Sequence, residues 1–345
     1  MAILRKILIM LPAFLLTGCF EEFQPEDDVA PVLCVNSLVT AGSPIYARVT
    51  HTWMYNDLEA ERSHEVRDAV VRIFVNGQEV DKNYKARERD HVRIVADSPT
   101  YGHAEGEVTV PVSVMPLDVK ITPVERSVET SSEDFLYVSL RFDLNVELTV
   151  PDDASTANYF NFKRLGYCDV GWDYDWGFDW GDDMSFVGPD ATQADLQLGS
   201  FQYQSEPIFG EHIGIFDSVM GADSWGFLFF SDRQFSGDKY TLHLKYTDCR
   251  YTVVSANMQT EIPDAGFTFI LSTVSESFYD WAIYSWQKSD GMLGDMSSIG
   301  LSEAFGGYSN VSSGAGIIAA QSSQSVTISL HDFIVSEFDK YGIGK

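Results

Sequence analysis

From residue 32 onward this chain repeats one pattern, and that pattern leaves little choice of fold. Short stretches rich in Val, Ile, Thr, Tyr and Phe, alternating apolar with polar or running apolar, are cut by Gly, Asn, Asp or Pro. A repeat of two puts alternate side chains on one side of an extended strand, whereas an amphipathic helix needs apolar residues three and four apart. Stretches 32–39, 45–54, 69–75, 91–95, 107–114 and 119–122 carry the strand pattern. Asn76-Gly77, between Arg72-Ile73-Phe74-Val75 and Gln78-Glu79-Val80, reads as a two-residue hairpin turn. A type I′ turn needs positive φ at both central positions, which these residues tolerate. About seven strands in roughly a hundred residues predict an immunoglobulin-like β-sandwich over residues 31–123.

A second series follows at 135–150, 159–165, 225–230, 240–246, 251–256, 267–272 and 325–330, with one more apolar segment at 316–320 and an amphipathic tail. It predicts a larger β-sandwich or barrel-like domain over 124–345, so the whole chain reads as all-β. One helix interrupts it, over 274–289. Thr273-Val274-Ser275-Glu276 has the spacing of a capping box, and Phe278, Trp281, Ala282 and Ser285 fall on one face. That stripe is read as a helix packed on a sheet rather than as a cofactor groove. No repeat of fixed period is present.

Charge narrows the partners. Asp and Glu number 51 against 23 Lys and Arg, a formal charge of −28, yet 45% of residues are hydrophobic and 13% aromatic. Such a chain buries enough surface to fold, unlike a disordered acidic one. Nucleic acid is excluded as a partner, because a polyphosphate requires a basic face. The imbalance is local: between Arg164 and Arg233 there is no Lys or Arg, but there are thirteen Asp or Glu. A surface of that sign repels anions and attracts cations or a basic partner.

The first nineteen residues set an address. Arg5 and Lys6 precede an apolar run over 7–16, too short to span a bilayer, and Leu16-Thr17-Gly18-Cys19 ends it as a lipobox. Residues 1–18 are therefore read as a lipoprotein signal peptide. Cleavage leaves Cys19 acylated by palmitate-type chains and anchored to a membrane through lipid. Loss of Arg5 and Lys6 moves the charge from −28 to −30. Residues 19–30, acidic and Pro-containing, read as a tether.

The densest candidate site lies in an acidic-aromatic insertion spanning 167–232. Trp172, Trp176 and Trp180 recur every four residues, with Tyr174 and Phe178 between them and Asp173, Asp175 and Asp179 interleaved. Aromatic faces flanked by carboxylates stack on sugar rings or cationic groups. Asp173, Asp175, Asp179, Asp182 and Asp183 offer hard oxygen ligands suited to Ca²⁺. The register of an EF-hand loop fails, since its sixth position is Phe178 instead of Gly and its twelfth Met184 instead of Glu. The plainest reading is a hairpin whose rings pack while its carboxylates face water.

With Cys19 acylated, Cys34, Cys168 and Cys249 remain, and a Cys168–Cys249 bridge would pin the insertion to the second domain. Cys34 reads as a buried free thiol. The histidines are scattered: His51, His64, His91 and His103 fall in the first domain, His212 in the acidic stretch and His331 beside Asp332. No H-E-x-x-H, G-x-S-x-G or zinc spacing occurs, so neither a catalytic residue nor a required cofactor is assigned and the chain is read as a non-enzyme. A carboxylate pair of glycosidase type is the remaining enzymatic alternative.

Pro31 to Thr40 (P-V-L-C-V-N-S-L-V-T), Arg67 to Gly77 (R-D-A-V-V-R-I-F-V-N-G), Glu303-Ala304-Phe305 and Tyr308 to Ile318 (Y-S-N-V-S-S-G-A-G-I-I) together resemble a family of Bacteroidetes lipoproteins, the domain of unknown function 4249. Ile318 stands where that family usually has an aromatic, and a long acidic insertion follows Gly166. The resemblance implies an outer-membrane or cell-surface lipoprotein of two β domains, often accompanying a TonB-dependent transporter. Glu21-Glu22 after the acylated Cys resembles an export signal to the outer face of the outer membrane. By analogy with nutrient uptake, the implied function is non-catalytic: capture of an unidentified ligand, or assembly with the transporter. A structural or adhesive surface protein is the alternative.

Overall fold

The computed structural model describes residues 30–53, 64–131, 136–152, 157–168, 192–201, 206–210, 228–235, 237–255, 261–289 and 307–343. Within them the strands are β1 (Leu33–Thr40), β2 (Arg48–His51), β3 (Val70–Val75), β4 (Gln78–Val80), β5 (His91–Ser98), β6 (Gly102–Thr109), β7 (Leu117–Ser131), β8 (Leu136–Pro151), β9 (Tyr159–Cys168), β10 (Thr192–Gln197), β11 (Ser200–Phe201), β12 (Phe229–Ser231), β13 (Lys239–Ser255), β14 (Ala265–Val274) and β15 (Ala315–Ser329). The helices are α1 (Glu276–Ser289) and α2 (His331–Asp339). No helix among the described residues is long and apolar enough to cross a membrane, which leaves β-barrel crossing unaddressed.

The chain is all-β and sandwich-like. A six-stranded sheet in the order β12-β9-β14-β15-β1-β2 contributes to two cores. Its β1 and β2 end packs with the four-stranded sheet β4-β3-β5-β6, through Leu33, Val35, Ile73, Val92, Ile94 and Ala104. Its β9 and β14 end packs with the sheet β10-β13-β8-β7, onto which β11 adds, through Phe160, Phe162, Phe267, Phe269 and the inward residues of β8 and β13. In β8 that inward row is Val138, Leu140, Phe142, Leu144, Val146, Leu148 and Val150, a strict period of two. Among the described residues no sheet closes into a barrel.

The hairpin at Asn76-Gly77 forms as read: φ is 51° and 82°, positive at both positions, and Val75 pairs with Gln78. Other boundaries move for identifiable reasons. The expected domain limit near 123 falls inside β7, where Pro123 pairs with Leu144 on β8. The expected strands at 240–246 and 251–256 are one strand, β13, whose apparent break is a bulge between Tyr246 and Cys249, with Asp248 at φ 63°. β10 and β11, which both pair with β13, carry only weak period-two signals.

The larger surprise is β15. It pairs in parallel with β1 over Ala315–Gln321 and antiparallel with β14 over Gln321–Ser329. One continuous strand thus completes the first core with Ile318 and Ala320, then runs on beside β14 in the half of the same sheet that covers the second core. The N-terminal sandwich is closed by a segment about 280 residues away in sequence, as the Asn36 and Ile317 contact illustrates. Period two reveals that both segments are strands but not that they are neighbours.

The helix start is also corrected. β14 continues through Val274, so Thr273 lies buried in a strand and cannot cap. The cap is Ser275, whose Oγ accepts from Phe278 N at 3.3 Å. The same Oγ accepts from Ala320 N at 3.0 Å, and Ser275 N donates to Ala320 O at 2.9 Å. The buried face of α1 is Tyr279, Ala282 and Trp286, while Trp281, expected to pack, is exposed. Substituting Ser275→Ala should lower stability by about 1–2 kcal/mol, since it removes a cap and leaves a strand N–H unpaired. Ser275→Asp should recover part of it, read as the urea midpoint.

Candidate functional site

The residues singled out in the insertion, Trp172, Asp173, Tyr174, Asp175, Trp176, Asp179, Trp180, Asp182 and Asp183, lie outside the described residues, as do Cys19 and His212. The strands that bracket that stretch are described. β9 ends at Cys168 in the six-stranded sheet and β10 begins at Thr192 in the five-stranded one. The two approach so closely at Gly166 that a Cβ there would lie 3.0 Å from Leu196 O.

The expected Cys168–Cys249 bridge is not formed: Cys249 is in no disulfide. Cys249 lies within β13, buried opposite Phe142. Cys168, on β9, acts electrostatically on the Tyr251 hydroxyl, two residues further along β13. Cys168 belongs to the six-stranded sheet and Cys249 to the five-stranded one. Burial pushes the Cys249 thiol up to about 11, so it is a core thiol at neutral pH.

The segments resembling a known family come together where β1 meets β15. Asn310 closes the side of β15 that β14 has left: its Nδ2 donates to Ile318 O and its Oδ1 accepts from Ile318 N, both at 2.8 Å. Across the strand, Asn36 Oδ1 accepts from Ile317 N at 3.2 Å. Ser37 Oγ donates to Tyr46 O, and Ser312 exchanges backbone hydrogen bonds with Glu105 on β6. Gly314 and Gly316 allow the close contact, because a Cβ on either would meet β1 carbonyl oxygen at 2.5 and 2.2 Å. These residues form a clasp between the two ends of the chain, with their polar atoms directed at backbone groups.

Glu88 reinforces the clasp by accepting from Ser113 N, Ser113 Oγ and Ser322 Oγ. The Ser113 hydroxyl bond, then the other donors, hold its carboxyl below the ordinary 4.5 in spite of desolvation. A carboxyl with a lowered folded pKa stabilises fully above its unfolded value and loses that contribution as pH falls through its folded value. In urea unfolding from pH 6 to 3, the gap between the parent and Glu88→Gln should therefore narrow below pH 4.5.

The buried carboxylates are engaged too. Glu206 accepts from Tyr240 O–H and His243 N, each at 2.6 Å. Asp232 accepts from Asn158 N at 2.6 Å, though burial and the nearby Asp152 still raise its pKa. Asp90 accepts from Tyr84 O–H, Asn76 Nδ2 and Arg87 N. At the start of α1, Tyr159 O–H donates to Glu276 at 3.1 Å. Asp280 beside it is raised by burial and by Glu276, with Arg233 opposing. Among the described residues no three His, Cys, Asp or Glu side chains are placed to hold a metal ion.

The fold also assembles a ring cluster that sequence reading missed. His51 and His64, dispersed in sequence, meet edge to face at 5.2 Å because residues 64–66 pair with β2. His51 stacks on Tyr101 at 4.6 Å and His64 on Trp53 at 4.0 Å. No spacing rule signals the pairing, since it depends on residues 64–66 lying beside β2. His331 and Asp332 open α2.

A family described as "Domain of unknown function (DUF4249)" matches residues 21–327, and the chain belongs to that family. No curated protein and no solved structure matches the chain.

Proposed function

From this membership in the DUF4249 family we propose that the chain is a lipoprotein of the outer membrane or cell surface, anchored through Cys19. Its β scaffold presents a non-catalytic binding face and serves nutrient uptake as an accessory to a TonB-dependent transporter. The observation that carries this reading is the clasp. Asn36, Ser37, Asn310 and Ser312 in the family-like segments direct their side chains at backbone atoms. The buried carboxylates Glu206, Asp232 and Asp90 are likewise engaged by scaffold donors. What these segments supply is a frame, and the frame leaves recognition to its loops and exposed faces.

The face we assign to recognition is the acidic-aromatic stretch around Trp172, Asp173, Tyr174, Asp175, Trp176, Asp179 and Trp180. Its charge favours a basic partner surface or a cation over an anionic ligand. Affinity purification through the acylated protein should recover a β-barrel receptor, and joint replacement of Trp172, Trp176 and Trp180 by Ala should lose it. Repeated recovery of no receptor sinks the transporter reading. Cys19→Ser should shift the protein from the membrane to the soluble fraction. Added Ca²⁺ should raise the melting temperature if Asp173, Asp175, Asp179, Asp182 and Asp183 bind it; an unchanged melting temperature removes the cation.

A further inference from the structure

The ring cluster stands where the chain enters the fold. Val32, 37% exposed, bonds Thr52 twice: its N–H donates to Thr52 Oγ1 and its carbonyl accepts from Thr52 N, both at 3.0 Å. The next residue, Trp53, is 51% exposed although one face of its indole is stacked on His64 at 3°. The exposed area therefore belongs to the other face and the ring edge. His64 is braced by His51, and His51 by Tyr101, so the indole is held outward by a column of rings instead of folding onto the sheet. Ala30 and Pro31 beside it are exposed as well.

We propose that Trp53, with Pro31 and Val32, docks into the lipid–water interface of the membrane that holds Cys19. This rests on the reading of Cys19 as the anchor. The eleven residue steps from Cys19 to Ala30 span at most about 40 Å, so an acylated Cys19 keeps this end of the molecule at the bilayer. Tethering makes docking effectively intramolecular, at a local concentration in the millimolar range, so a weak contact suffices. Trp is suited to it, having an apolar ring with a polar N–H that favours the interface over either water or hydrocarbon. The strong net negative charge of the chain directs the choice to a zwitterionic surface, since an anionic one repels it.

The test supplies the anchor artificially, so that its failure is separable from failure of acylation. The mature chain with Cys19→Ser and an N-terminal polyhistidine tag is attached to phosphatidylcholine vesicles containing a nickel-chelating lipid. With dibrominated phosphatidylcholine, part of the tryptophan emission should be quenched, and at least half of that quenching should vanish in Trp53→Ala. Trp53→Tyr, another interfacial residue, guards against loss of fold: its attached chain should resist displacement by dilute imidazole more than Trp53→Ala does. Absence of quenching, or equal quenching in the parent and Trp53→Ala, overturns the proposal. An emission change of Trp53 with a methyl hexoside in solution, and none on vesicles, assigns the face to a sugar and overturns it equally.

Discussion

Replacing Gly316 by Ala should lower stability by about 4 kcal/mol or prevent folding. Two costs coincide there. The residue has φ 113°, a conformation an L side chain adopts only under strain of about 1–3 kcal/mol. Its new Cβ would also lie 2.2 Å from Val35 O and 2.8 Å from Val35 N, both backbone atoms of β1. Relief requires β1 to move away from β15, which breaks the parallel pairing and opens the first core at Leu33, Val35 and Ile318. Gly42→Ala separates the two costs. Its φ is 81°, but nothing lies within 4 Å of the added Cβ, so only the strain of about 1 kcal/mol remains. Urea unfolding of both variants measures the difference; equal losses would mean that the approach of β1 to β15 is not what Gly316 serves.

Asn310→Ala should cost about 1–3 kcal/mol, because it orphans the N–H of Ile318 at a part-buried strand edge and leaves the Ile318 carbonyl with Ser277 Oγ as its side-chain donor. Asn310→Asp is the sharper variant. Its carboxylate still accepts from Ile318 N, but the oxygen replacing Nδ2 faces the Ile318 carbonyl and repels it. Protonation restores a donor, so the stability of this variant relative to the parent should rise as pH falls through the titration of that carboxyl. A pH-independent deficit would show that the amide acts only by filling space.

Both predictions concern residues that a motif search brings forward for a different reason. The segment from Tyr308 to Ile318 is conspicuous in the sequence for its Gly, Ser and Asn residues. The contacts give it a mechanical task. Its asparagine substitutes for a missing strand, and its glycines admit the backbone of β1. The site on which sequence reasoning concentrated, from Trp172 to Asp183, lies outside the described residues. The exposed aromatic site that the fold does assemble draws Trp53, His64, His51 and Tyr101 from separate segments.

What the sequence determined by itself was local. Alternation fixed the strand character of β1, β3, β8 and β14, and Asn76-Gly77 fixed its turn, because side-chain period and allowed φ are properties of a few consecutive residues. It also placed α1 to within two residues at its start. The tertiary structure decided which strands are neighbours. The parallel pairing of β1 with β15 joins residues that no local rule connects, and only the shared burial of Leu33, Val35, Ile318 and Ala320 selects it. That pairing settles why Gly316 must be glycine, the extension of β14 along β15 to Val274 leaves Ser275 rather than Thr273 to cap the helix, and the pairing of residues 64–66 with β2 brings two histidines together to brace an exposed tryptophan. Each depends on the distance between segments remote in sequence, and packing alone sets that distance.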